Sequence, residues 1–92
     1  MEMEKLIFAL EETISCLRKS EDSDWSNMPV TEIIRRLEAE LAKAKNSKVV
    51  DVDLLERLFV PTGVLQEISI DSGWGTKFLR FSQVIDEFLA GK

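Results

Sequence analysis

Apolar side chains recur every three or four residues in the first part of the chain, which is the spacing of one helix face. From residue 3 to about residue 19 this stripe consists of Met3, Leu6, Ile7, Leu10, Ile14 and Leu17. The pattern predicts an amphipathic helix with its charged residues mainly off the stripe. Residues 20–24 contain no apolar residue and are typical of a loop.

A second long amphipathic helix is predicted to begin near Ser26 to Pro29 and to end around Asn46. Ser26 or Asn27 can cap it, and Pro29 is tolerated in the first turn, where N–H groups have no intrahelical partner. Its apolar stripe is Val30, Ile33, Ile34, Leu37, Leu41 and Ala44. Charges of both signs predict favourable ion pairs on its exposed face, from Glu38, Glu40, Lys43 and Lys45.

Shorter elements are predicted in the middle of the chain. Asp51 or Asp53 can cap a short helix that Pro61 closes, and it carries Leu54, Leu55, Leu58 and Phe59. Another brief helix is expected after Gly63. Residues 66–71 also alternate between polar and apolar, which fits a strand about as well. We favour a helix because no second strand lies nearby to pair with this segment.

Aromatic residues mark the last predicted helix, which follows Gly75, and its stripe is Trp74, Phe78, Phe81, Ile85, Phe88 and Leu89. Gly73 can adopt the left-handed conformation that ends the preceding helix. The stripe is expected to be buried in the monomer or in a dimer. The whole pattern predicts one all-α domain over residues 1–92, a compact bundle of four to five helices.

Composition fits this architecture and limits the environment. The chain has 92 residues, 45% of them apolar and 32% charged, which is the balance of one globular domain. No apolar run approaches the roughly 18 residues of a membrane span, and no signal-peptide pattern begins the chain. Cys16 is the single cysteine, so an intrachain disulfide is excluded and a cytoplasmic location is expected. The thiol is interpreted as a small apolar filler.

Catalytic patterns are largely excluded by the absence of histidine, which removes the usual base for serine or cysteine catalysis and the usual zinc ligands. Residues 22–33 begin like a calcium loop but have Asn27 and Ile33 at positions that require Gly and Glu. A magnesium-dependent nucleotide hydrolase would need the acids Glu11, Glu12, Glu38, Glu67 and Asp71, but Ser15 breaks its Glu-Glu-x-x-Glu pattern. No catalytic residue, metal or cofactor is therefore expected.

Charge favours a basic protein as the partner. The net charge of −5 argues against nucleic acid, since phosphate binding depends on surplus Lys and Arg. Residues 1–24, 25–48 and 49–92 carry −4, +2 and −3. The basic residues of the middle segment are interpreted as a solvated helix face, namely Arg35, Arg36, Lys43, Lys45 and Lys48.

The segment from Leu58 to Gly75, LFVPTGVLQEISIDSGWG, resembles a family of small uncharacterised bacterial helical proteins. The resemblance implies a helical fold and transfers no catalytic residue. As architecture, Pro61 and Thr62 separate two helices and Trp74 fills a corner. The alternative interpretation places a recognition surface on that corner, formed by Gln66, Glu67, Asp71 and Trp74.

Size and charge also resemble those of immunity proteins and antitoxins, which neutralise a basic toxin by covering its active site. This hypothesis makes two further acidic segments candidate contacts. They are Glu21, Asp22 and Asp24 beside Trp25, and Asp51, Asp53 and Glu56. The alternatives are another protein-interaction module, including a homodimer, and the magnesium-dependent hydrolase.

Overall fold

The computed structural model describes residues 2–20, 29–46, 48–59 and 64–90, the side chains of residues 2 and 3 excepted. These residues contain no strand and form five α-helices: α1 (Glu2–Arg18), α2 (Val30–Lys45), α3 (Val52–Phe59), α4 (Val64–Asp71) and α5 (Gly75–Ala90). The predicted all-α bundle, with two long helices followed by short ones and an aromatic last helix, is confirmed. Residues 66–71 are helical, as favoured.

The long helix α1 organises the bundle because both other long helices pack against it. It contacts α2 and α5, while α5 also contacts the short helices α3 and α4, which contact each other. The buried face of α1 follows the predicted stripe, with Leu6, Leu10 and Leu17 fully buried. The hydroxyl of buried Thr13 donates to the carbonyl oxygen of Ala9 at 2.7 Å, so a polar side chain is accommodated in this core.

Aromatic side chains of α5 close the other half of the core within the monomer. The rings of Phe59 and Phe78 stack with centroids 6.3 Å apart, and Trp74 lies tilted against Phe81 at 6.4 Å. Buried Ser82 donates a hydrogen bond of 3.0 Å to the carbonyl oxygen of Phe59. This bond satisfies a carbonyl at the end of α3 and ties that helix to α5.

The turn between α4 and α5 has the geometry predicted for Gly73. Its φ is +83°, a conformation that glycine adopts without steric cost. The N–H of Trp74 donates to the carbonyl of Ser69 at 2.8 Å, and the N–H of Gly73 donates to that of Ile70 at 3.3 Å. This pair of bonds is the Schellman motif, which ends α4 and directs the chain toward α5.

Two predicted helix caps have different outcomes. The carboxylate of Asp51 accepts a hydrogen bond of 3.0 Å from the N–H of Leu54, so Asp51 caps α3 as expected. Helix α2 begins at Val30, one residue after the predicted region, and its N-cap is Pro29, which forms no side-chain cap bond, rather than Ser26 or Asn27. Ser26 and Asn27 lie outside the described residues, as do Pro61, Thr62 and Gly63 between α3 and α4.

Candidate functional site

The charges of α2 are largely satisfied within the bundle. Arg18 and Glu38 pair at 2.6 Å and Lys45 and Glu11 at 3.2 Å, which joins α2 to α1 on one flank. Along α2, Glu32 accepts bonds from Arg35 and Arg36, and Lys43 pairs with Glu40. The hydrogen bonds from Arg35 and Arg36 lower the pKa of Glu32 below its ordinary value. Most of the basic middle segment is therefore paired with acids, and this flank offers little unsatisfied charge to an anion.

Glu40 is a buried structural residue, which corrects its interpretation as one member of an exposed pair. Its side chain is almost fully buried, and one carboxylate oxygen accepts a hydrogen bond of 2.6 Å from the N–H of Asp51. The other oxygen accepts from Lys43 at 3.0 Å. Glu40 follows Ile33 and Leu37 at the spacing of the buried face, and this register was the signal that sequence reasoning missed. The carboxylate thus positions the start of α3.

The predicted acids of α3 and α4 lie on two helices that pack together. Residues 49–75 contain one base, Arg57, and five acids, which are Asp51, Asp53, Glu56, Glu67 and Asp71. Glu67 is half-buried, like neighbouring Gln66, and the other four acids are exposed. Among the described residues, none of the five carboxylates forms an ion pair. We call these five residues, together with exposed Ile70, the α3–α4 surface.

Trp74 is a core residue, which confirms that it fills the corner and contradicts the alternative interpretation that made it part of a recognition surface. The side chain is only 7% exposed, and the indole N–H donates to the hydroxyl of Ser20 at 2.8 Å. Ser20 in turn donates to the carbonyl of Cys16 at 2.8 Å, so the corner is tied to the end of α1. The exposed apolar group beside this corner is Ile70, which is 60% exposed.

Ile70 has an apolar neighbour on α5. A Cβ placed on Gly75 would lie 3.7 Å from the Cγ1 atom of Ile70, so this side chain lies beside the first turn of α5. Leu79 follows Gly75 by four residues and therefore lies on the same side of α5, where it is also exposed. The α3–α4 surface thus has exposed apolar side chains at its edge. The remaining predicted contacts, Glu21, Asp22, Asp24 and Trp25, lie outside the described residues.

A second exposed feature, which sequence reasoning did not predict, lies between α1 and α5. Two depressions there share Val84, and we call them together the α1–α5 groove. One is lined by Phe8, Ala9, Glu12, Lys77, Arg80, Phe81 and Val84, and the other by Lys5, Val84, Glu87 and Phe88. The ring of Phe8 is 60% exposed, on the polar side of the amphipathic helix α1. Phe8 was not part of the predicted stripe, so only its aromatic character on the polar side of α1 was a signal.

The chemistry-bearing side chains of the described residues can be assigned one by one. They contain no group of three or more His, Cys, Asp or Glu residues that could hold a metal ion. Two of the acids considered for magnesium, Glu11 and Glu38, are paired with bases instead. Burial raises the pKa of the half-buried Cys16 thiol, which keeps it protonated and weakly nucleophilic near neutral pH.

No described helix combines the length and the apolar character that crossing a bilayer requires. Comparison with known proteins finds no matching protein family, no matching curated protein and no matching solved structure. The resemblance of the segment from Leu58 to Gly75 and the likeness to immunity proteins therefore stay predictions.

Proposed function

We propose that this protein is a binding protein that neutralises a basic protein partner, in the manner of an immunity protein or antitoxin. The observation that carries the proposal is the concentration of unpaired carboxylates on the α3–α4 surface, where five acids accompany one base. The acids of α2 are paired with Lys or Arg, whereas those of α3 and α4 are not. The negative field of the molecule is therefore open to a partner on this side.

The arrangement supports both steps of association. Unpaired charges of one sign accelerate the encounter with an oppositely charged protein, and this acceleration decreases as salt increases. Apolar anchors then supply most of the binding energy. Ile70 and Leu79 are exposed beside the acidic helix α4 and are suited to that role. A surface of one sign repels its own copy, so the partner is a different, basic protein.

Inhibition of a toxin requires only that its basic active site be covered. Such a function needs no catalytic group on the inhibitor. The proposal therefore accounts for a well-packed domain that has no histidine and whose single thiol is protonated at neutral pH. The partner class follows from charge: a domain that binds an anionic substrate, such as a nuclease, carries the basic active site that this surface complements.

The experiment is affinity capture with the full chain from the cells that produce it, followed by identification of the bound protein. We expect a basic domain that arrests growth when expressed alone and is tolerated when the chain is co-expressed. Replacing Asp53, Glu56 and Asp71 by their amides should slow association at least tenfold at low salt and weaken rescue. Asp51 stays unchanged because it caps α3.

The matched control removes the same charge elsewhere, with Glu11→Gln, Glu38→Gln and Asp86→Asn, none of which lines the α1–α5 groove. These side chains are exposed and lie outside the α3–α4 surface. If both triple variants slowed association equally, net charge alone would act and the assigned surface would be wrong. Capture of no basic partner, or of one whose expression is harmless, would overturn the proposed function.

A further inference from the structure

We infer that the α1–α5 groove binds a second copy of this chain, so that the protein forms a two-fold symmetric dimer through this face. The inference rests on the distribution of apolar and charged side chains along the groove. It is independent of the proposed function, which uses the α3–α4 surface.

The two helices of the groove run antiparallel, as its lining residues show. Lys5 lines the same depression as Glu87, whereas Glu12 lines the other with Lys77 and Arg80. The start of α1 therefore lies beside the end of α5. Each helix carries opposite charges at its two ends, and each end of the groove has an acid on one helix and a base on the other.

This pattern is complementary to itself. A two-fold axis that lies in the plane of the groove and runs across the helices places α5 against α5 of the other copy, with Arg80 facing Glu87. The same axis places Lys5 opposite Glu12 across the two α1 helices. An axis that runs along the helices instead places α1 against α5, and Lys5 then faces Glu87. Opposite charges meet in both cases, as an isologous interface requires.

The apolar residues lie where such an interface has its centre. Phe8 is midway between Lys5 and Glu12, and Val84 is midway between Arg80 and Glu87. A two-fold axis at the middle of the groove therefore packs Phe8 and Val84 of one copy against the same two residues of the other and leaves the charges at the rim. An apolar centre with a polar rim is the usual anatomy of a protein interface.

The charges of the groove have no partner within the described part of the chain. Lys5, Glu12, Lys77, Arg80 and Glu87 are exposed, and none takes part in an ion pair there. The charges on the α2 flank of α1, by contrast, are already paired. With three bases and two acids, the groove is also nearly balanced, so a copy of itself suits it better than a strongly basic or acidic partner.

The test is the mass of the full chain in solution, measured by sedimentation over a concentration series. For a small interface we expect a dimer with a dissociation constant on the order of 10 µM, weakened by salt. Phe8→Glu should raise this constant at least about thirtyfold, as loss of a central aromatic anchor does. A chain that stays monomeric up to about 300 µM, some thirty times that constant, would overturn the inference.

Leu79→Glu is the matched control, because Leu79 is 57% exposed on α5 but does not line the groove. It should leave the dissociation constant of the dimer unchanged, whereas Phe8→Glu should raise that constant and leave the binding of a basic partner unchanged. If Leu79→Glu dissociated the dimer as Phe8→Glu does, this face would be the wrong one. The two variants also separate a failed dimer from a failed proposed function.

Charge inversion tests the charge complementarity directly. Because it alters only exposed side chains, it remains a valid test if Phe8→Glu loses helicity. Lys77→Glu with Arg80→Glu should weaken the dimer, since like charges then face each other at Glu12 or Glu87. Reversing the sign of all five charged residues should restore association. This inverted chain should not pair with the original one, and mixed dimers at the statistical proportion would contradict the inference.

Discussion

The two flanks of α1 differ in how their charges are satisfied. Toward α2, Arg18 and Glu11 bind charged partners across the helix pair, and the buried Glu40 joins α2 to the start of α3. Toward α5, charged side chains surround an exposed Phe8 and form no ion pair within the described residues. The difference separates side chains that hold this domain together from side chains available to another molecule.

The largest effect on stability is expected when two phenylalanines are compared. Phe78→Ala should lower the free energy of unfolding by about 3–5 kcal/mol, because it removes a buried ring stacked on Phe59 and leaves a cavity. Phe8→Ala should change it by less than about 0.5 kcal/mol in the monomer, as at other exposed positions. Urea unfolding followed by circular dichroism, at concentrations too low for a dimer, measures both. Equal losses would mean that Phe8 belongs to the core.

Glu40 offers the next largest effect. Glu40→Ala removes the acceptor of the part-buried hydrogen bond from the N–H of Asp51, at a cost of about 1–3 kcal/mol. Glu40→Gln keeps an oxygen acceptor and should cost less. Glu38→Ala, on the same helix but exposed, is the control and should cost under about 1 kcal/mol. The distinction between a buried carboxylate and a paired surface carboxylate would fail if Glu38→Ala destabilised the protein as much as Glu40→Ala.

A smaller effect is expected for the ion pair between Arg18 and Glu38. Both side chains are about half exposed or more, so water and salt screen their attraction. A double-mutant cycle with alanine at both positions should give a coupling of about 0.2–1 kcal/mol that decreases with salt. A coupling that salt does not change would indicate that this flank of α1 is more strongly desolvated than its exposure implies.

The smallest effect concerns the pKa of Glu32, which its hydrogen bonds to Arg35 and Arg36 lower. Because the pKa of Glu32 is lower in the folded state, its carboxylate stabilises the fold at pH values above the ordinary pKa of 4.5. This contribution is lost as the pH falls through the pKa of the folded state. Replacing both arginines by alanine should raise the pKa of Glu32 toward 4.5. A carbon-13 NMR titration of the carboxyl group measures it, and an unchanged midpoint would contradict the proposed cause.

The periodicity of apolar residues determined where the helices of this protein form. Side chains at three- and four-residue spacing lie on one face only in a helix, and that face is buried when the helix packs. It also determined the core positions of Phe78 and Ile85, while the glycine at position 73 indicated the left-handed turn. The acids of the α3–α4 surface could likewise be named from the sequence, since an excess of one charge within a short segment does not depend on packing.

Only the tertiary structure decided which side chains at the boundary of a stripe face the solvent. A helix face has no sharp edge in sequence, so the neighbours that pack on it decided that Glu40 is buried and that Phe8 and Ile70 are exposed. The α1–α5 groove was unpredictable for the same reason. Its two walls come from opposite ends of the chain, and their charges acquire a pattern only when α1 and α5 pack antiparallel.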